Sequence, residues 1–281
     1  MSDRLTWQSI LRKDRPLMFG ILNCTPDSFS DGGQFTDEKT IVEKINDLVL
    51  QGSDVIDFGA ESTRPGAKEI SSDEQLLRIR PVLENLNSNV LFSVDTRSAD
   101  VAEKCVSSGI QIVNDVSGGR FDERMLNVIS ETDSLCVLMH MRGNPETMNN
   151  KTTYNNIVDD VCFELSEIVQ HAIDFGISEN SIMLDPGIGF AKTPEDSLGL
   201  VKNAHVIKER LGFPLLVGLS RKSFLAYLFD EDPKKVKMEQ KEWATHYLSS
   251  YLFDQGIDAL RLHNPLQSIE AIKFLNNFLR K

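Results

Sequence analysis

Four hydrogen-bonding side chains lie at or near the ends of predicted strands, and together they could bind a flat heterocycle. Asp95, Asn114 and Asp185 carry acceptor oxygens, and Lys222 carries an ammonium group. Buried carboxylates and amides are costly unless they are paired, and a strand interior is an odd place to accept that cost for folding alone. We therefore predict that these four side chains converge on one ligand with several donors and acceptors along its edge.

Most other predicted strands also end in polar or charged residues. These are Asn23, Glu61, Ser62, Thr63, Arg64, His140, Arg142, Ser220, Arg221, Arg261 and His263. Asp57, Asp115 and Ser117 are equally compatible with helix capping or turn formation. His140 is more simply interpreted as a hydrogen-bonded core histidine.

Two glycine-containing segments have a superficial likeness to other motifs. LDPGIGF (184–190) lacks the third glycine of a dinucleotide fingerprint. GLSRKS (218–223) lacks the leading glycine of a P-loop and the closing glycine of a nucleophile elbow. The chain contains no HExxH segment and no Cys/His ligand cluster. The placement of polar groups on successive strand ends is therefore the stronger signal.

Alternating strands and helices must position these residues. Predicted strands cover 17–23, 54–60, 90–96, 111–117, 135–141, 181–187, 214–220 and 258–264. Predicted helices cover about 38–51, 72–87, 98–108, 122–131, 154–175, 194–210, 236–255 and 266–279. Continuous apolar strands are typical of parallel sheets covered on both faces. Eight such pairs without a linker predict an α/β fold, a (β/α)8 TIM barrel, as a single domain over 1–281 with residues 1–15 as an N-terminal extension. A doubly wound open sheet is the structural alternative.

Charge and composition exclude several classes of partner. The net charge of −12 makes nucleic acid and anionic membranes unlikely partners, so an anionic substrate would need a local cluster of cations and amides. The N-terminus lacks the apolar region of a signal peptide, and no apolar run approaches the length of a membrane span. Four scattered cysteines without a CxxC pair indicate reduced core thiols. We expect a cytoplasmic protein.

The motifs match a known family. The chain closely resembles dihydropteroate synthase, the pterin-binding barrel of folate biosynthesis. The matching stretches run in family order from about residue 17 to 264 and are GILN (20–23) with TPDSFSDGG (25–33), ESTRPGA (61–67), SVDT (93–96), NDVSG (114–118), MHM (139–141), LDPGIGF (184–190), SRKS (220–223) and RLH (261–263). Cys24, Ala60 and Asn264 depart from the common family residues, and none of these changes removes an expected catalytic side chain.

The resemblance implies that p-aminobenzoate displaces diphosphate from 6-hydroxymethyl-7,8-dihydropterin diphosphate and gives 7,8-dihydropteroate. A pterin edge offers an amino group beside a ring N–H, and Asp185 can accept hydrogen bonds from both. Asn114 and Asp95 would complete that edge, and Lys222 would donate to the ring oxygen and nitrogen. Met139 belongs to the same implied substrate site.

The resemblance also implies groups for the diphosphate. Arg261 and His263 would provide positive charge, with Arg64 approaching from the second loop. Asn23 is a neutral oxygen ligand suited to Mg²⁺, which binds diphosphate oxygens while keeping waters. We expect Asn23, Lys222, Arg261 and His263 to act in catalysis, with no side-chain nucleophile.

The long polar loop after Asn23 would fold over the diphosphate and the second substrate. Phe29 and Pro65, with Thr63, Phe190, Lys222 and Ser223, would form the p-aminobenzoate pocket. Sulfonamides, which mimic p-aminobenzoate, should then compete with it. The family further implies a homodimer.

Two other functions on a related barrel are alternatives. A non-catalytic pterin-binding paralogue would keep Asp95, Asn114, Asp185 and Lys222 and lose the diphosphate groups. A folate-dependent methyltransferase has little use for the SRKS segment or for a diphosphate lid. A metal-dependent aldolase on the same fold is more remote.

Overall fold

The computed structural model describes residues 5–25, 38–64, 66–86 and 89–279, and within them eight parallel strands form one sheet. The strands are β1 (Leu17–Asn23), β2 (Val55–Gly59), β3 (Leu91–Asp95), β4 (Ile112–Asp115), β5 (Leu135–Met139), β6 (Ile182–Asp185), β7 (Leu216–Val217) and β8 (Ala259–Leu262). Their order is β6-β5-β4-β3-β2-β1-β8-β7. A β-bridge between Leu184 in β6 and Leu215, which lies just before β7, joins the two edge strands of the sheet. The single-domain (β/α)8 TIM barrel is thereby confirmed, and the open-sheet alternative is wrong.

Helices cover the outside of the barrel in the described ranges. They are α1 (Trp7–Ile10), α2 (Glu38–Leu50), α3 (Ser72–Leu83), α4 (Ala99–Ser107), α5 (Met125–Glu131), α6 (Ile157–Asp174), α7 (Pro194–Lys202), α8 (Ala204–Leu211), α9 (Met238–Asp254) and α10 (Pro265–Leu279). Among these residues, no helix is both long enough and apolar enough to cross a membrane.

Two predicted elements differ from the structure. The single helix predicted over 194–210 is two helices, because the chain leaves helical geometry at Asn203, whose side-chain amide donates to the Gly199 carbonyl 2.8 Å away. The seventh strand, predicted over 214–220, contains only Leu216–Val217. The residues that follow turn early to carry polar groups toward the site.

The N-terminal segment closes the bottom of the barrel. Trp7, in the short helix α1, is 1% exposed, and its indole nitrogen donates to the Ser181 carbonyl 2.9 Å away. It packs against inward residues of the strands, such as Phe19 and Met183. Burial of an indole with its N–H satisfied is strongly stabilising. The segment treated as an extension therefore plugs the barrel.

The two-residue period of the strands explains where the polar residues go. In β1, Leu17 and Phe19 belong to the apolar cluster inside the barrel, whereas Met18 and Leu22 pack in the layer between strands and helices. The same alternation directs the residues at the carboxyl end of each strand inward. They are Asn23, Asp57, Asp95, Asn114, Met139, Asp185, Gly218, Ser220, Arg261 and His263. An apolar floor is thus topped by a polar layer.

Candidate active site

The floor of this cup is an ion-pair network around Arg261. The guanidinium donates from Nε to Asp57 at 2.5 Å and from Nη2 to Asp95 at 2.6 Å. The side-chain amide of Asn114 also donates to Asp57, at 3.2 and 3.3 Å from its two oxygens. Arg261 and Asn114 therefore meet at Asp57, which is completely buried, and Asp95 joins them through Arg261.

Burial sets the protonation of this layer. It raises the pKa of Asp95 to about 7, and the positive charge of Arg261 opposes that rise. The sequence predicts that Arg261 faces the diphosphate, but two of its three guanidinium nitrogens are directed at carboxylates. Arg261 is thus part of the floor, and its contact with diphosphate remains a prediction.

Asp185 lies at the end of β6 with its orientation fixed by its own loop. Its Oδ1 accepts a hydrogen bond from the Gly187 amide at 2.7 Å. Burial raises the pKa of Asp185, while the charges of Lys222 and Arg261 lower it. Its Oδ2 lies 3.9 Å from the point where a Cβ on Gly218 would be. A larger side chain at position 218 would therefore enter the space in front of this carboxylate.

Lys222 stands against the same loop. Its ammonium donates to the carbonyl of Ile188 and lies 4.7 Å from the centroid of the Phe190 ring. Burial lowers the pKa of Lys222 to about 8, against the attraction of Asp185. Phe190 packs on an apolar cluster that contains Met139. Lys222, Phe190 and Met139 therefore offer one cationic and two apolar surfaces beside Asp185.

His263 is held by Ser220 in a defined protonation state. The Ser220 hydroxyl accepts from the backbone N–H of His263 at 3.2 Å and lies 3.0 Å from its Nδ1. When the hydroxyl donates to Nδ1, the ring carries its proton on Nε2. Burial, with nearby Arg221, Arg261 and Arg64, lowers the pKa of His263 to about 3. With that tautomer the neutral His263 ring offers an Nε2–H donor, whereas the sequence predicts positive charge at this position.

The remaining predicted residues line the rim. Asn23 is half-buried at the end of β1, paired in register with Gly59. Thr63 is half-buried and Arg64 exposed, and Arg64 is near enough to His263 to influence its pKa. Ser223 begins a short 3₁₀ helix after Lys222 and is exposed. Phe29 and Pro65 lie outside the described residues.

Other polar residues at the strand ends prove to be structural. Glu61 forms a buried ion pair with Arg97 at 2.7 Å, which anchors the start of the second loop. Asp115 accepts from the Ser117 amide and hydroxyl and from the Gly119 amide, at 2.6–2.7 Å. His140 is fully buried and hydrogen-bonded, as predicted for a core histidine.

The sequence alone points to no site role for Asp57, Gly218 or Lys192, although all three contact the site or its supporting loop. Asp57 and Gly59 lie on the same inward face of β2, so the two-residue period of the strand is a signal that could have placed Asp57 in the site. Gly218 leads the SRKS segment, where a missing side chain points to space needed by a ligand. Lys192 follows the LDPGIGF segment, and nothing local distinguishes it from a surface lysine.

Comparisons with known proteins agree with this geometry. The family profile described as pterin binding enzyme matches residues 19–263. The chain belongs to the pterin-binding enzyme family. Its relatives include the dihydropteroate synthase of Synechocystis, which is 40% identical over 253 residues, covering 89% of this chain and 86% of the relative.

Solved structures of family members superpose closely. Dihydropteroate synthase from Xanthomonas albilineans with 4-aminobenzoic acid has a TM-score of 0.85 and 33% identity, covering 95% of this chain and 94% of the other. The same bacterium's enzyme in complex with 7,8-dihydropteroate has a TM-score of 0.83 and 30% identity, covering 99% and 97%. Within the family, the chain therefore groups with the dihydropteroate synthases, which are transferases.

Proposed function

We propose that this protein condenses 6-hydroxymethyl-7,8-dihydropterin diphosphate with p-aminobenzoate to give 7,8-dihydropteroate and diphosphate. The observation that carries the proposal is the cup in which Asp95, Asn114, Asp185 and Lys222, from four separate strand ends, surround one space above the Arg261 ion-pair network. The solved complexes of relatives with 4-aminobenzoic acid and 7,8-dihydropteroate support the same substrates.

The pterin would bind by its hydrogen-bonding edge. Asp185 keeps Oδ1 on the Gly187 amide, so its lone pairs are aimed by the backbone before a ligand arrives. The ring amino group and N–H would donate to this carboxylate, and Lys222 would donate to the ring oxygen and nitrogen. A ligand without this pattern would leave buried polar groups unpaired, which gives the site its selectivity.

The diphosphate would lie toward β8 and β1. The Nε2 proton of His263 and the exposed guanidinium of Arg64 are donors on this side of the cup. An arriving anion would raise the pKa of His263, because the charged imidazole would then be paired. Binding of the diphosphate would thus add positive charge where the isolated site has little.

Asn23 fits a magnesium site that is shared with the substrate. Its amide oxygen is a hard ligand on the inward face at the mouth of the barrel, and it is half-buried. Among the described residues, no group of three His, Cys, Asp or Glu side chains could hold a metal. Mg²⁺ would therefore take most of its ligands from diphosphate oxygens and water, with Asn23 as the protein ligand. The bound ion would neutralise charge on the leaving group.

The reaction needs orientation and charge stabilisation more than a nucleophile. The amine of p-aminobenzoate would form a C–N bond to the pterin methylene carbon as the C–O bond to diphosphate breaks, and the amine then loses a proton. Neutral and cationic donors around the diphosphate favour its departure, and the cup holds the methylene carbon facing the amine. Phe190, Lys222, Ser223 and Thr63, with Phe29 and Pro65, would form the p-aminobenzoate pocket.

A homodimer and a cytoplasmic location complete the proposal. Helix α9 exposes Trp243, Tyr247 and Tyr251 at intervals of four residues, and the first two rings lie 6.2 Å apart. Such an aromatic stripe supports contact with a second copy of the chain. All four cysteines are buried and free, which suits a reducing compartment.

The direct test is to incubate the purified protein with the pterin diphosphate, p-aminobenzoate and Mg²⁺ and to look for dihydropteroate by mass spectrometry. Reactions that lack either substrate should give none. A protein that binds a free pterin by calorimetry but forms no product would instead be the non-catalytic paralogue. Failure to bind pterin at all would refute both assignments.

A further inference from the structure

The loop between β6 and α7 adopts a conformation that must be held from outside. Gly187, Gly189 and Ala191 have φ values of +67°, +80° and +50°. A Cβ on Gly187 would lie 2.0 Å from the His140 carbonyl oxygen, so this loop rests directly on the end of β5. The left-handed conformation is unfavourable at a non-glycine residue, because Cβ comes too close to the following carbonyl oxygen. Ala191 therefore stays there only because its surroundings fix it.

Four side chains form hydrogen bonds with backbone groups of this loop, on both sides of Gly189. Asp185 accepts from the Gly187 amide, and Lys222 donates to the Ile188 carbonyl. Lys192 donates to the Phe190 carbonyl at 2.9 Å, and the Tyr154 hydroxyl donates to the Ala191 carbonyl at 2.9 Å. Asp185 and Lys222 belong to the cup itself. Lys192 and Tyr154 act from behind it.

Lys192 heads a buried chain of charged and polar groups. Its ammonium lies 2.9 Å from Nδ1 of His140, and Nε2 of that ring lies 3.0 Å from Glu164. Arg142 closes the chain by donating from Nε to Glu164 at 2.9 Å. An ammonium must donate to Nδ1, so the ring carries its proton on Nε2 and donates it to the carboxylate. Every member of the chain thus has a partner.

The protonation states agree with this direction of hydrogen bonding. Burial, together with the adjacent Lys192, lowers the pKa of His140 to about 4, so the ring is neutral at pH 7. Burial acts against ionisation of Glu164, but hydrogen bonds from His140 and Arg142 prevail and bring its pKa to about 2.

We propose that Lys192 is a positioning residue for the second-substrate pocket. By tying the Phe190 carbonyl to His140, it fixes the Phe190 ring. The inference rests on the proposed function, in which Phe190 faces p-aminobenzoate. The contacts of Lys192 are with His140 and the Phe190 backbone, so it acts through the loop and not on the reacting atoms.

The test compares Lys192→Met with Lys202→Met, a control at an exposed lysine in the last turn of α7. We expect Lys192→Met to raise the KM for p-aminobenzoate about tenfold, because a buried hydrogen bond to a charged group contributes about 1.5 kcal/mol or more. The affinity for 6-hydroxymethylpterin should change less than about twofold, because the Gly187 amide still holds Asp185. Lys202→Met should match the wild type in both constants.

A merely structural lysine would behave differently. Replacing such a lysine would reduce the amount of active enzyme but leave the KM for p-aminobenzoate of the folded fraction unchanged. That result would overturn the proposal. Equal losses in p-aminobenzoate KM and pterin affinity would also overturn it.

A spectroscopic signature accompanies the kinetics. In ¹⁵N-histidine spectra the pKa of His140 should rise in Lys192→Met, because the adjacent positive charge is gone.

Tyr154→Phe tests the same loop if Lys192→Met does not fold. It removes only the hydroxyl that holds the Ala191 carbonyl and leaves the ring under Arg142. A two- to fivefold rise in p-aminobenzoate KM is expected, and an unchanged KM would overturn the proposal.

Failure of the proposed function is distinguishable, since the wild type would then form no dihydropteroate. An active wild type whose variants keep its KM refutes the positioning role alone.

Discussion

Arg261 Nη2 and Asp95 Oδ2 lie 2.6 Å apart, although 166 positions separate the two residues in the chain. The same guanidinium reaches Asp57 on the neighbouring strand, and Asp57 in turn receives the amide of Asn114. One cation is therefore shared by two buried carboxylates. The consequence is that Asp95 and Asn114 are oriented before any ligand binds, which reduces the reorganisation that binding requires.

Replacing Arg261 should destabilise the protein as well as impair the site. In Arg261→Met, Asp57 and Asp95 lose their shared partner, and breaking a buried ion pair from one side is unfavourable by about 3–5 kcal/mol. Urea denaturation would measure the loss. The control is Arg210→Met, which breaks the exposed pair with Asp159 and should leave the urea midpoint close to that of the wild type. Equal midpoints for the two variants would show that the Arg261 network does not stabilise the fold.

Although it did not identify Asp57 or Gly218, the sequence was sufficient for the barrel and for most of the residues at its mouth. Both depend on local signals, namely apolar runs, polar strand ends and motif order. It was not sufficient for the partners of Arg261 or the charge of His263, because these depend on side chains brought together by closure of the barrel. Trp7 illustrates the same limit. A tryptophan in a polar N-terminal segment has no local pattern that reveals the apolar barrel bottom it fills.

Asp185→Asn should weaken pterin binding strongly. The Asn oxygen can still accept from the Gly187 amide, so the loop is preserved, but its NH₂ group would then meet the donors of the pterin edge. A lost charge-assisted hydrogen bond of about 1.5–3 kcal/mol corresponds to a roughly tenfold to hundredfold rise in Kd. Calorimetry with 6-hydroxymethylpterin measures it, with the exposed Asp254→Asn as the control. An unchanged Kd would remove Asp185 from the pterin edge.

Acid should destabilise the protein partly through His140. Burial lowers its pKa to about 4 from an ordinary 6.5, so between these values the unfolded chain binds a proton that the native state does not. Stability contributed in this way is present above pH 6.5 and falls as the pH drops toward 4, by up to about 1.4 kcal/mol per pH unit. In His140→Asn, the slope of the unfolding free energy against pH should decrease by the equivalent of up to one proton taken up on unfolding.

Chemical denaturation at pH 4 to 7 reports the slope directly. The variant His171→Asn, at an exposed position on α6, serves as the control and should overlay the wild type. His263, whose pKa is also lowered by burial, contributes to the same slope, so part of the slope should remain in every variant. If His140→Asn retained the full wild-type slope, His140 would have to be protonated in the native state, contrary to its hydrogen-bonding geometry.

The aromatic stripe on α9 should control assembly. Trp243 and Tyr247 are 62% and 66% exposed, and a contact with a second copy would bury both. Introducing Glu at both positions should convert the expected dimer to a monomer in sedimentation equilibrium, because two carboxylates would oppose their symmetry mates. Phe163→Glu replaces an aromatic residue of similar exposure on α6 and should leave assembly unchanged. A wild-type monomer would rule out the stripe as a self-contact.

Asn23 should determine how much magnesium the reaction needs. In Asn23→Ala the ion would lose its protein ligand but keep diphosphate oxygens and water, so the Mg²⁺ concentration for half-maximal turnover should rise about tenfold, with activity recovered at high Mg²⁺. Asn23→Asp retains an oxygen ligand and adds charge, so it should need no more Mg²⁺ than the wild type. Removal of Mg²⁺ with a chelator should abolish turnover in all three proteins and leave free-pterin affinity intact, since the pterin edge contacts no metal. Superimposable Mg²⁺ titrations for Asn23→Ala and the wild type would show that the ion is bound elsewhere.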